Sequence, residues 1–539
     1  MLDTRGPRVN AVTLMATAMV TLVTLGLTAT ALEGQPAQGA PPAAFPDPGR
    51  VAKLSSAFGD IDRVFAAYAE REHIPGAVWG IIIDGRLAHV GVTGYRDVAS
   101  KSPVDSGTVF RIASMTKSFT ALAILKLRDE GKLSLDDPAE KWVPELAGLK
   151  YPTTDSPRIT IRHLMSHAEG FPEDNPWGDQ QLAVTDEEMS RMMRAGIPFS
   201  NAPGVAYEYS NYGFAILGRI VTKASGMPYR RYIGQTILRP LGMTSTTLEP
   251  REVPAGRIAQ GYRWEDEQWK LEPQLPDGAF GAMGGMLTST RDLGVYVGMF
   301  LGAWPPHDGA ETGPVKRATL REMQQIHRPR PAAVTRTSSG TLQLSSGGYG
   351  YGLGISGDCN FAHIVAHSGG LPGFGSLMRW LPEYGVGIIA FGNRTYTGWG
   401  GPTNEALGIL ARTGGLVPRA PQPSAVLTAR REAVSRLVLQ WNDRLADSLA
   451  AVNLFLDQSA DRRKAQIAKL ISEVGPCRAG TGFDVVENAL RGQWTMPCDR
   501  GALRVSITLA PTMPPLVQYL EVSRAPATPP PPRGICPAT

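Results

Sequence analysis

Within residues 51–72, Val51, Leu54, Phe58, Ile61, Val64, Phe65 and Tyr68 recur at helical spacing and stop before Pro75, which predicts one amphipathic helix. Two β-rich runs, 77–83 and 86–92, meet at Asp84-Gly85, a dipeptide that favours the tight turn of a hairpin. A third short strand at 109–112 delivers the chain to Ser114. Apolar residues at Phe119, Leu122, Ala123, Leu125 and Leu127, closed by Gly131, then predict a helix buried on most sides. The pattern to about residue 325 is mainly helix and loop, with helices at 186–194, 212–224 and 290–301. Strands return only from residue 350, at 350–356, 364–367, 375–381 and 386–392, and a helix follows at 403–412. This order predicts an α/β fold of the α+β type. One antiparallel sheet is built from both ends of the region and flanked by helices, with a large, mostly helical insertion between its halves.

Glycines and prolines mark a linker at 414–425, after which a second, smaller unit begins. Helical patterns at 426–456 and 461–474 precede strand-like runs at 483–486, 503–509 and 517–522, which predicts a small α+β domain over 426–525. The proline-rich tail, 526–539, is expected to be disordered.

Charge changes this picture little. The 54 basic and 49 acidic residues give a net +5 with no long basic block, so nucleic acid is not an expected partner. At the start of the chain Arg5 and Arg8 precede an uncharged stretch ending in Ala29-Thr30-Ala31, which reads as an export signal over 1–31. An uncleaved anchor is the alternative reading. Residues 32–49, rich in Pro, Ala and Gly, follow as a flexible leader. The mature protein is then expected in the periplasm or outside the cell, where Cys359, Cys477, Cys498 and Cys536 could form up to two disulfides, Cys477 with Cys498 being the preferred pair. The cysteine spacing fits no zinc site, and neither a metal nor another cofactor is expected.

The candidate chemistry starts at Ser114 and Lys117. Three residues apart at a helix start, they share one face, so a lysine among apolar groups can lose its charge and take the serine proton. This is the only Ser-x-x-Lys in the chain, and Tyr209-Ser210-Asn211 is the only Tyr-x-Asn. The latter sets a phenol and an amide on a loop just before a helix, where a helix-capping turn is the alternative reading. His367-Ser368-Gly369-Gly370 follows a strand, and its small residues would let a substrate backbone approach. The Gly370 amide could join that of Ser114 in an oxyanion hole. His163 and His167 have metal-ligand spacing, but the glutamate of a His-Glu-x-x-His site is missing, so a structural role is expected.

In this order and spacing, Ser-x-x-Lys, Tyr-x-Asn and His-x-Gly resemble the motifs of the penicillin-recognising serine hydrolases. The nearest branch is similar to class C β-lactamases, D-alanyl-D-alanine peptidases, D-aminopeptidases and related esterases. The segments FRIASMTKSFTALAIL, LDDPAEKWVPEL, ITIRHLMSHAEGFP, YSNYGFAILGRIV, ILRPLGMTSTTL and GGMLTSTRDL carry the likeness over about residues 51–412. The resemblance implies a β-lactamase/transpeptidase-like domain over 50–413. It makes Ser114 the nucleophile, Lys117 its proton acceptor, Tyr209 a general base or proton shuttle, and Asn211 the group that orients Lys117 and the substrate amide. His367 completes the site, with the amides of Ser114 and Gly370 holding the oxyanion beside Gly369. Which group takes the first proton stays open.

One departure matters. The family's lactamases resemble one another in having Lys-Thr-Gly on this strand, and the lysine there attracts a substrate carboxylate. Here His367 carries partial charge at best. The expectation is therefore an exported esterase or D-amino-acid peptidase with weak β-lactamase activity at most, acting on small molecules or peptides near the cell wall. A penicillin-binding receptor that acylates with little turnover is the first alternative, and a true class C-type β-lactamase or D-alanyl-D-alanine carboxypeptidase the second.

Overall fold

The computed structural model describes residues 39–336 and 342–526. The expected signal at 1–31, the first part of the leader (32–38), nearly all of the proline-rich tail and Cys536 lie outside the described residues. Within the unit Ala40–Thr539, the chain first forms β1 (Gly76–Ile83), β2 (Arg86–Asp97) and the two-residue β3 (Ser102–Pro103). Strands β4 (Val109–Arg111), β5 (Tyr262–Glu265), β6 (Gln268–Leu271) and β7 (Leu287–Ser289) make two short ribbons, β4 with β7 and β5 with β6. Then come β8 (Arg328–Arg336), β9 (Leu342–Tyr349), β10 (Gly354–Asp358), β11 (Ile364–Leu371), β12 (Phe374–Leu381) and β13 (Val386–Gly392). Among the described residues nine strands join in the order β3-β2-β1-β13-β12-β11-β10-β9-β8. The N-terminal hairpin thus docks through β1 on β13, antiparallel, with Val78 opposite Phe391. The sheet built from both ends of the region is present as the sequence predicts.

The hairpin turn has the expected cause: Asp84 at φ 49° and Gly85 at φ 78° supply two left-handed residues in succession. All eight residues of β1 are buried because both faces of the sheet are covered. Val78 and Ile82 face a large core shared with the helical insertion, while Trp79, Ile81 and Ile83 face a second core under helices Phe58–Arg71 and Gly400–Arg412.

Three expectations need correction. The helix predicted over 51–72 is two helices, Arg50–Ser55 and Phe58–Arg71. Leu54, Ile61 and Phe65 pack into the same core, so the apolar stripe runs across the break and hides it. Strands return well before residue 350. β5 and β6 lie at 262–271, and β8 and β9 together with β10 replace the strand expected at 350–356. β8 carries Pro329 and Pro331, and it is an edge strand, where proline is tolerated.

The C-terminal unit is a small sheet domain with its own core around Trp494, Leu503 and Val505. Its sheet has four strands, β14 (Val485–Asn488), β15 (Arg491–Cys498), β16 (Gly501–Leu509) and β17 (Val517–Arg524), and β15 was not predicted, Gly492 and Pro497 having diluted its signal. The helix expected over 426–456 breaks into Ala425–Leu439, Asp443–Leu449 and Leu454–Asp457, because Asn442 caps a new start by accepting from the Leu445 N–H at 2.9 Å. Cys477 and Cys498 are disulfide-bonded, as preferred. Among the described residues no helix is long and apolar enough to cross a membrane.

Asn393, fully buried just after β13, ties the hairpin to the rest of the sheet. Its Oδ1 accepts from the Gly76 N–H at 2.7 Å, and its Nδ2 donates to the carbonyls of Tyr95 (3.1 Å) and Gln260 (3.0 Å). Asn393→Ala leaves these groups buried without partners and should lower unfolding free energy by about 2–4 kcal/mol. A denaturant melt checks it; an unchanged midpoint would show that Asn393 does not hold the two halves of the sheet together.

Candidate active site

Strand β4 ends one residue before a sharp reversal. Ile112 donates its N–H to the Met286 carbonyl at 3.0 Å, and Ala113 then adopts φ 47°, a left-handed conformation that costs a non-glycine residue about 1–3 kcal/mol. Ser114 follows in a single 3-10 turn, Ala113–Met115, which runs into the helix Thr116–Asp129. The sequence placed Ser114 in the first turn of the helix itself; the structure sets it one short turn earlier. The expected reach survives, since Lys117 Nζ lies 3.0 Å from Ser114 Oγ.

Lys117 is fully buried. Its other hydrogen bonds go to Asn211 Oδ1 at 2.6 Å and to the Met283 carbonyl at 2.9 Å, so all of its partners are neutral oxygens. Burial pulls its pKa down to about 7, and attraction from Asp179 and Asp174 only partly offsets this.

Tyr209 and Asn211 are held at the start of the helix Asn211–Ser225. Ser210 is the cap, its Oγ accepting from the Gly213 N–H at 3.0 Å. The Asp174 carboxylate accepts from the N–H groups of Asn211 (2.7 Å) and Tyr212 (2.8 Å). The capping turn read as an alternative is therefore present, and it serves the site. With Ser210 and Asp174 satisfying the helix end, the Asn211 side chain bridges Lys117 and Asn175 Oδ1, the latter at 2.6 Å. Tyr209 shares a hydrogen bond with Ser114, while burial holds its pKa well above 10.

His167 packs its ring 4.3 Å from that of Tyr209 and accepts the Ser210 N–H on Nδ1 at 3.0 Å, so its proton sits on Nε2. His163, by contrast, completes a capping box with Thr160. The pair is thus not a metal site, and among the described residues no group of three or more His, Cys, Asp or Glu could hold a metal ion.

Strand β10 pairs with β11 only as far as Ala366, opposite Gly354, so the remaining edge of β11 opens onto the site. A Cβ on Gly369 would lie 2.1 Å from the Ile112 carbonyl oxygen, so only glycine lets the strand pass this close to the Ser114 turn. His367 is buried, with Nε2 2.8 Å from the Tyr349 hydroxyl and Nδ1 2.6 Å from the Ser368 carbonyl. A carbonyl partner fixes the proton on Nδ1, and Nε2 accepts from Tyr349. Burial first, then the nearby Lys117, push His367 down to about 3. It is neutral at physiological pH.

Ser114, Tyr209, His367 and Gly370 line one cavity of about 550 Å³. Lys117 and Asn211 stand behind it, and Gly369 forms the close crossing. Sequence reasoning missed Asp174, Asn175, Asp179, Arg330, Tyr349, Arg379 and Tyr396. The first three share the polar segment EDNPWGD between Phe171-Pro172 and the next helix, a usable signal; Arg330, Tyr349 and Arg379 reach the site through sheet pairing, and Tyr396 from the turn after β13.

A serine hydroxyl within hydrogen-bond reach of a buried lysine, beside an antiparallel sheet with a helical insertion, fits a β-lactamase/transpeptidase-type serine hydrolase fold. The family model for beta-lactamase matches residues 61–412, and the chain belongs to that family. It is 30% identical over 338 residues to Protein flp of Staphylococcus aureus (strain COL), and the match covers 62% of this chain and 62% of that protein. It is 32% identical over 340 residues to Protein flp of strain N315, with the same coverage of both chains. The chain thus spans under two thirds of these relatives' length. The octameric penicillin-binding protein homologue from Pyrococcus abyssi shares its fold at a TM-score of 0.55 and 25% identity, covering 84% of this chain and 96% of that one.

Removing the Asp174 carboxylate tests whether this loop positions the site. Asp174→Ala should cost about 1–2 kcal/mol of stability through the lost cap, and lower kcat/KM for a p-nitrophenyl ester by roughly tenfold as Asn211 drifts from Lys117. Wild-type turnover in a folded variant would show that the loop does not position Asn211.

Proposed function

We propose that this chain hydrolyses ester or amide bonds of small molecules or peptides through an acyl-enzyme on Ser114. The observation that carries the reading is a fully buried amine, hydrogen-bonded to neutral oxygens alone, 3.0 Å from a serine hydroxyl. In its neutral form Lys117 takes the Ser114 proton as Oγ bonds to the substrate carbonyl carbon. The N–H groups of Ser114 and Gly370 receive the oxyanion. Tyr209 donates its proton to the leaving group as the scissile bond breaks, and Lys117 returns the proton to Tyr209. Water then attacks the acyl-enzyme by the same steps in reverse. Lys117 is the first proton acceptor in this scheme because burial lowers its pKa while raising that of Tyr209.

At the strand position where the family's lactamases carry a lysine, a neutral His367 offers no cation to a β-lactam carboxylate, and although Arg330 and Arg379 also line the cavity, this favours an esterase or D-amino-acid peptidase with weak β-lactamase activity at most. Export through residues 1–31, a periplasmic or extracellular location and work near the cell wall belong to this proposal. The likeness to a penicillin-binding protein homologue supports a second reading, in which Ser114 acylates and barely turns over.

Ser114→Ala should reduce p-nitrophenyl ester hydrolysis by roughly a thousandfold or more. Intact mass after mixing with benzylpenicillin separates the two readings: rapid return to the free mass supports the hydrolase, and a persistent adduct supports the receptor.

The pH dependence follows from Lys117. Raising pH through about 7 increases its neutral fraction, so kcat/KM should climb across that range. It should then hold a plateau, since Tyr209 ionises well above 10. A profile that falls as pH rises from 6 to 8 would contradict the assignment.

A further inference from the structure

The cavity is charged differently at its two ends. At the Ala366 end stand two arginines. Arg379, the cross-strand partner of Ala366, has its Nε buried without a partner and is held by Asn404, while Arg330 lies 5.2 Å over the Tyr207 ring. At the Gly370 end stands Asp179, buried in the cavity wall, its Oδ2 accepting from the Tyr396 hydroxyl at 3.2 Å. Tyr396 in turn packs against Gly370, where an added Cβ would lie 2.7 Å from its ring. Ala366 and Gly370 are four residues apart on one strand, so the two ends are separated by roughly 13 Å.

The direction of the substrate in this cleft rests on the serine-hydrolase reading above. Tyr209 serves the leaving group. Through the His167 ring, 4.3 Å from Tyr209 and 4.5 Å from Tyr349, it belongs to the His367 and Arg330 end. The leaving group therefore departs toward the arginines, and the acyl part extends past Gly370 toward Asp179.

Asp179 lacks a settled counter-charge there. Among the described residues the cation acting on it is Lys117, which is itself losing its charge near neutrality. A buried carboxylate in that state gains most from a cation brought by the ligand. We propose that the acyl part of the substrate carries a protonated amine, and that Asp179, steadied by Tyr396, is the residue that receives it. The arginines disfavour the same cation in the opposite orientation, so the enzyme selects for aminoacyl substrates.

Two esters differing only in the amine test this: alanine p-nitrophenyl ester, as each enantiomer, and p-nitrophenyl propionate. At pH 7 the wild-type full chain should prefer one alanine enantiomer over propionate by roughly ten- to a hundredfold in kcat/KM, the worth of one charge-assisted hydrogen bond. In Asp179→Asn the ratio should collapse toward one, and in Tyr396→Phe it should fall partway. If Asp179→Asn does not fold, the Tyr396→Phe ratio decides: a drop supports the inference and an unchanged ratio overturns it. Equal rates for the two esters in wild type, or a preference that survives Asp179→Asn, would also overturn it. Failure of wild type to hydrolyse either ester, or full activity in Ser114→Ala, would instead overturn the serine-hydrolase reading beneath it.

Discussion

Everything at this site depends on an amine kept out of water without a negative partner. Lys117 is buried among Ser114, Asn211 and the Met283 carbonyl, three oxygens that can hydrogen-bond a lysine but cannot neutralise it. Desolvation therefore dominates, and the carboxylates of Asp179 and Asp174 act only from a distance. A carboxylate in direct contact would keep the amine charged and useless as a base. The fold answers this by keeping Asp174 occupied with the backbone N–H groups that open the Asn211–Ser225 helix.

The rest of the architecture serves closeness. Ala113 is bent into a left-handed conformation so that the serine faces the cavity, and β11 can cross that turn only because Gly369 has no side chain. The early end of β10 leaves the β11 edge open where a substrate backbone would lie. Strain at Ala113 and an unpaired strand edge both cost stability. The two cores packed on either face of the sheet, with Trp79, Trp380 and Trp399 fully buried, offset that cost.

Most of the groups at the candidate site were legible in the sequence because they come in short motifs whose spacing is local. Three residues on a helix bring Lys117 to Ser114, and a capped helix start brings Asn211 forward, whatever the distant chain does. The groups that escaped notice depend on long-range pairing. Arg379 reaches the cavity because Ala366 is its cross-strand partner, and Tyr349 because β9 joins the sheet beside β10. Periodicity failed in the same physical way. The break after Ser55 left the apolar stripe intact, and the prolines of β8 sit on an edge strand that tolerates them. The change from a family lysine to His367 was visible, but its consequence was not. The burial of the ring, with the nearby Lys117, makes it neutral.

The most direct test is to titrate the Lys117 amine itself. In the full chain labelled at lysine side chains, with Lys117→Met used to assign the signal, the Lys117 resonance should titrate with a midpoint near 7. A midpoint close to the ordinary lysine value, roughly 10.4, would mean that the amine stays charged at neutral pH and cannot take the serine proton.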